Sequence, residues 1–139
     1  MHIVFMTIDF IDKEGPTSGL PKYLLRVSKA LLSKGYKVSI ITCSNRNVAY
    51  EFRGINVYRV RRPAIKKYSN RKKDAMAGCL RNGVILKDKL DELYQIEKID
   101  IVQYANLNGI AVFHHLPIPS ITRISSYSKM LEYDGYDIE

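Results

Sequence analysis

The stretch EGPTSGLPKYLL, which begins at Glu14, joins a strand-like run to a helix-like run and gathers Gly15, Thr17, Ser18, Gly19 and Lys22. These residue types can hold an anion or a sugar. A glycine at a helix start exposes backbone N–H groups at the positive end of the helix dipole. Ser18 adds a hydroxyl, and Lys22 adds a charge in the first turn. Glu14, with Asp9 and Asp12 just before the stretch, opposes a strongly anionic ligand. They suit sugar hydroxyls, because carboxylates accept hydrogen bonds from them. A Walker loop needs Lys and a hydroxyl residue after its last glycine, but Gly19 is followed by Leu20 and Pro21. The dinucleotide fingerprint is missing too, since only Gly15 and Gly19 are present. The competing structural reading makes Ser18 a helix cap and Gly19 a tight turn.

Further candidates lie later in the chain. Asn106, Arg123 and Ser125 follow or end strand-like runs, and Arg123 can reach a phosphate or a carboxylate. Its structural alternative is a surface charge. From Arg61 to Lys73 the chain reads RRPAIKKYSNRKK, where Arg61, Arg62, Lys66, Lys67, Arg71, Lys72 and Lys73 meet no acid. These seven cations hold nearly all of the net charge of +8. Anionic lipid, a phosphorylated ligand or nucleic acid fits such a patch, and so does a plain solvated loop. Tyr58 and Tyr68 near the patch can stack bases, but repeated basic–aromatic interleaving is absent, which disfavours nucleic acid. His114 and His115 are neighbours and cannot share a helix or strand face, so no metal is expected there. Cys43 and Cys79 lack metal spacing and read as packed small apolar groups in a reducing compartment.

The elements that must position these groups follow from periodicity. With 139 residues, 46% of them hydrophobic, the chain is expected to form one domain with a buried core. No apolar stretch reaches bilayer-spanning length and no signal peptide opens the chain, so the expected compartment is the cytoplasm. His2 to Ile8 reads as a strand buried on both faces. Leu20, Leu24, Val27 and Leu31 then share one helical face, with Pro21 in the first turn and Gly35 as the stop. Strands are predicted at Lys37 to Thr42 and Ile55 to Val60, the second reached through a polar loop. A longer helix is predicted from about Asp74 to Glu97, weakened by Gly78 and Gly83. A fourth strand at Ile99 to Tyr104, a short helix at Leu107 to His115 and a fifth strand at Ser120 to Ile124 complete the pattern. Alternating strands and helices imply an α/β fold with a Rossmann-like, doubly wound parallel sheet, the first strand central and the fourth beside it. Ligands of such sheets sit beyond the carboxyl ends of the strands, where Asp9 to Gly19, Ala105 to Gly109 and the segment from Arg123 converge.

Ser18-Gly19 followed by LPKYLLRVSKALLSKGYKV resembles the start of family 4 (group 1) glycosyltransferases of the GT-B fold. Their first lobe opens with a strand, a Gly-Gly loop and a helix of the form L-A-x-x-L-x-x-x-G-H-x-V. Here Val27-Ser28 replace Leu-Ala, Leu31 keeps the second leucine, Gly35 to Val38 close the match, and Ser18 replaces the first glycine. GINVYRV, KIDIVQYAN and PIPSITRISS resemble the third, fourth and fifth strands of that lobe. The resemblance implies that residues 1–139 form one N-terminal, acceptor-side lobe, expected to be incomplete because further strands usually follow the fifth. It implies transfer of a sugar from a nucleotide-sugar donor, without a metal or other cofactor, to a lipid-linked or cell-envelope polysaccharide acceptor. The donor lobe with its glutamate pair is a missing C-terminal partner, so the chain alone is expected to be inactive. Ser18, Gly19, Lys22, Asn106, Arg123 and Ser125 are the implied substrate contacts. The family often places His-Gly where this chain has Ser125-Ser126, and serine cannot carry the imidazole charge. The basic run is then expected to hold the lobe peripherally to the inner face of a membrane, at about 1 kcal/mol per basic residue close to anionic lipid. A non-catalytic module using that patch on anionic lipid or nucleic acid is the alternative, and an exposed sheet edge is a route to self-association.

Overall fold

The apolar run His2–Thr7 forms β1, and all of its residues are buried, as a strand covered on both faces requires. The computed structural model describes residues 1–10, 19–62, 71–107 and 109–124, with the backbone alone for 71–75. After β1 come α1 (Gly19–Ser33), β2 (Lys37–Ser44), β3 (Val48–Phe52), β4 (Ile55–Arg61), α2 (Arg71–Ile96), β5 (Ile101–Ala105), a 3₁₀ turn (Ile110–Phe113) and β6 (Ser120–Arg123). They build one sheet of order β3-β4-β2-β1-β5-β6. All its neighbours pair in parallel except β3, which pairs antiparallel with β4. β1 is central and β5 lies beside it, as the alternation of elements predicts.

Two cores sandwich the sheet because alternate side chains leave opposite faces. Ile3 and Phe5 join Val38, Ile40, Ile55, Val57 and Leu24 of α1. Val4 and Met6 join Ile41, Cys43, Leu86, Leu90 and Leu93, the last three from α2. The helices therefore cover opposite faces. α1 closes as its sequence predicts: Gly35 has φ 76°, the Tyr36 N–H donates to the Leu31 carbonyl at 3.1 Å, and the Gly35 N–H donates to Leu32 at 2.9 Å.

Two expectations are revised. The segment before β4 is a hairpin strand, β3, rather than a polar loop. Its turn places Arg53 at φ 53° and Gly54 at φ 82°, the left-handed pair that a two-residue hairpin loop requires. The short helix expected over Leu107 to His115 is a 3₁₀ turn of four residues.

At the amino ends of the strands, His2 fastens β1 to its neighbours. Its N–H donates to Asp100 Oδ2 at 2.7 Å, and its Nδ1 faces the Lys98 carbonyl at 3.2 Å. Facing an acceptor, Nδ1 must carry the proton, so Nε2 accepts from the Ser39 hydroxyl at 2.8 Å. Burial drives the imidazole below its ordinary value of 6.5, partly offset by the hydrogen bond to the Lys98 carbonyl. The unfolded chain thus takes up a proton near pH 6.5 that the folded chain refuses. This contribution to stability is complete above pH 6.5 and falls as the pH drops below it, by at most about 1.4 kcal/mol per pH unit. Urea midpoints measured from pH 7.5 down to 5.5 are expected to decline, and His2→Gln is expected to flatten the decline.

Candidate functional site

The carboxyl ends of the parallel strands form one rim. Thr7 pairs with Thr42, Thr42 with Arg59, and Ala105 with Arg123, so the strands end at nearly one level. The strand order reverses between β1 and β5, the point beyond which sheets of this kind bind ligands in a crevice. Just past β1, the Thr7 hydroxyl donates to the Asp9 carbonyl at 3.0 Å, which turns the chain toward α1.

α1 begins at Gly19 itself, so this glycine is the first helical residue rather than a tight turn before the helix. Its φ is not left-handed, and a Cβ there would meet open space. A backbone that can be approached from outside is what Gly19 offers. Lys22, in the same turn, is exposed.

Tyr23, one turn into α1, joins this helix end to the far strands. The Arg123 guanidinium, at the last residue of β6, lies 3.9 Å from the centroid of the Tyr23 ring. Gln103 of β5 donates to the Tyr23 hydroxyl at 3.5 Å. The structure thus sets Arg123 against Tyr23, four residues after Gly19 on the same helix. It also supplies Tyr23 and Gln103, which sequence reasoning missed; the only sequence signal for Tyr23 was its place one turn after Gly19. A guanidinium stacked on an aromatic ring keeps its N–H edge for a carboxylate, phosphate or hydroxyl. Asn106 follows directly on β5 and is half-buried. Ser18 and Ser125 lie outside the described residues.

Part of the basic run borders the same rim. Arg62 Nη2 donates to the Ile8 carbonyl at 3.0 Å, clasping the exit of β1. Burial pushes the Cys43 thiol up, and Arg62 beside it partly offsets this. Arg61 is exposed and accepts support through its backbone N–H, which donates to Asn47 Oδ1 at 2.7 Å. Arg71, Lys72 and Lys73 form the first turn of α2. Lys66, Lys67 and Tyr68 lie outside the described residues. The other tyrosine proposed for base stacking, Tyr58, has Lys89 Nζ over its ring at 5.4 Å, so that face is occupied.

A groove of about 590 Å3 opens between the β3–β4 hairpin and the middle of α2, lined by Val48, Ala49, Arg61, Lys89 and Glu92 among others. Lys89 pairs with Glu92 at 2.8 Å on its wall. The β1–β5 rim is the better candidate on topology, and the Arg123–Tyr23 contact lies at the end of β6 beside it.

The two histidines go to separate partners. His114 Nε2 donates to the Ile118 carbonyl at 3.1 Å, which leaves Nδ1 to accept from the Tyr104 hydroxyl at 2.8 Å. Burial, with the Asp91 charge nearby, pushes Tyr104 up to about 12. His115 Nε2 instead lies 3.4 Å from Asp91 Oδ1. Among the described residues, no three His, Cys, Asp or Glu side chains are grouped as metal ligands.

Together these features define an α/β domain with a mostly parallel six-stranded sheet, compatible with a Rossmann-like fold. No helix among the described residues is long and apolar enough to cross a membrane. No family model matches the chain, and no curated protein matches it.

Proposed function

We propose that this chain is the acceptor-side part of a GT-B glycosyltransferase of the family 4 kind. It would position a sugar or lipid-linked acceptor while a second lobe, outside this chain, supplies the nucleotide-sugar donor. The observation that carries this reading is the meeting of the Gly19 turn, through Tyr23, with Arg123 at the crevice. Backbone N–H groups, a stacked guanidinium and the half-buried Asn106 can orient a hydroxyl-rich ligand there, and Lys22 adds a charge for an attached phosphate. Catalysis by this lobe is positioning: the attacking hydroxyl is held while the leaving nucleotide belongs to the other lobe. The basic run would keep the crevice near an anionic, inner membrane surface. Alone, the chain binds without turnover.

Backbone amide NMR with saccharide and saccharide-phosphate ligands tests the reading. Resonances of Gly19, Tyr23, Asn106 and Arg123 are expected to shift together, and Arg123→Ala is expected to weaken binding about tenfold, or about 1.4 kcal/mol. Shifts confined to Val48, Arg61 and Lys89, or none with any saccharide, would sink it. The competing reading, an anion-binding module with no donor lobe, rests on exposed Arg61 and its neighbours. It predicts that polyanions displace every ligand as salt rises.

A further inference from the structure

The segment that joins β5 to β6 touches α2 at two places of different strength. The Phe113 ring lies against Gly83, too close to admit a side chain there. About two turns further along α2, His115 Nε2 lies 3.4 Å from Asp91 Oδ1, beyond ordinary hydrogen-bond length. Lys87 Nζ holds the other carboxylate oxygen, Oδ2, at 2.7 Å. Oδ1 itself is shut off from solvent and accepts no hydrogen bond among the described residues. A shielded carboxylate oxygen without a donor is costly, so a donor brought to it is favoured.

The hydrogen bonding of His115 accounts for the gap. Its Nδ1 faces the Phe113 carbonyl at 3.2 Å, so Nδ1 carries the proton of the neutral ring. Nε2 then turns a lone pair toward a carboxylate, and neither atom can donate. A proton added at Nε2 supplies the donor and a positive charge together. The ring is half-exposed, so protons reach it from solvent. His114 has no such need: its Nε2 donates to Ile118 and its Nδ1 accepts from Tyr104, which satisfies the neutral ring. Among the described residues, the other ionisable groups around the pair are Lys87 and Asp88 on α2, Tyr104 on β5 and His114. The 3₁₀ turn Ile110–Phe113 carries none. Tyr104, pushed up to about 12 by burial and the Asp91 charge, stays a neutral donor. Lys87 opposes a second cation, but Asp91 at 2.7 Å and Asp88 at 3.4 Å flank it and offset its charge.

We propose that His115 and Asp91 form an acid-closed latch, in which the protonated imidazole closes on Asp91 Oδ1 and fastens the β5–β6 connection to α2. The proton comes from solvent to Nε2, and the only covalent bond formed is that N–H. The fastened connection leads directly into β6, the strand that ends in Arg123, so closing the latch steadies that strand. The latch requires neither saccharide binding nor a second lobe.

Imidazole nitrogen-15 resonances read the chemistry directly. Neutral His115 is expected as the Nδ1–H tautomer, with acid adding the second proton at Nε2. A neutral Nε2–H tautomer would overturn the latch, because that form donates to Asp91 at every pH. Native-state hydrogen exchange reads the closing. The Val112 and His114 amides donate to the Gly109 and Ala111 carbonyls, each at 3.0 Å. Their protection is expected to rise about threefold from pH 8 to pH 5.5, after correction for intrinsic rates and relative to the amide of buried Met6. Acid weakens the whole fold through His2, so the local gain and the global change have opposite signs. Asp91→Asn and His115→Gln are each expected to remove the gain. Melting curves at pH 7.5 check that the variants fold, and either one suffices if the other does not. Protection that stays flat with pH in the parent, or a gain that survives in a folded variant, would overturn the proposal. Neither result touches saccharide binding at the crevice, which the NMR shifts read separately.

Discussion

Phe5→Ala is expected to remove about 3–5 kcal/mol of stability. Phe5 is 1% exposed in the middle of the central strand, in the core that also holds Leu24 of α1. A domain of this size has about 5–15 kcal/mol in all, so the variant should stand near its unfolding threshold. The loss extends beyond the core. α1 rests on this floor, and its first turn carries Tyr23 to Arg123. Urea unfolding followed by far-ultraviolet circular dichroism gives the midpoint shift. Truncation of half-exposed Ile121 is the control, expected within about 0.5 kcal/mol of the parent. Equal effects at the two positions would contradict the assigned core.

The second large effect reverses what helix propensity predicts. Alanine in place of an interior glycine normally favours a helix by about 1 kcal/mol. At Gly83, an added Cβ would meet Phe113 Cε2 at 2.5 Å and Cδ2 at 2.6 Å, so the ring must move. Gly83→Ala is therefore expected to destabilise by about 1–3 kcal/mol, the range for overpacked contacts. The pairing with Phe113 makes the cause measurable. In a Phe113→Ala background the clash is gone, and the same substitution should become neutral or stabilising. A double-mutant cycle from melting curves gives the coupling. Additive effects would show that Phe113 is not what excludes a side chain at Gly83.

The main strands and helices were legible because local pattern and global burial agree in them. His2–Thr7 is mostly apolar and wholly buried, and Gly35 ends α1 in the left-handed conformation its position suggested. β3 was hidden although Val48, Tyr50 and Phe52 alternate with more exposed Ala49 and Glu51. Five residues are a weak signal, and its turn puts Arg53, which carries a Cβ, at positive φ where Asn or Asp is the usual marker. Gly83 weakened the expected helix, and its reason is a ring on a different element. The site shows the same division. Gly19, Lys22 and Arg123 could be proposed from residue type and place, whereas the Arg123–Tyr23 stack joins residues remote in sequence, which no local period records. The exposure of Met76, Leu80 and Val84 on α2 was missed for the opposite reason: apolar residues at helical spacing ordinarily signal a core.

The clasp between the His2 N–H and Asp100 joins residues 98 positions apart and sits where β1 meets β5. Closing so long a loop carries an entropy penalty that the β1–α1–β2 crossover avoids. Strands β1, β2 and β4 with α1 can therefore nucleate as an early unit, while β5 and β6 await α2. The rim where β1 meets β5 is therefore expected to form after the β1–β2 pairing.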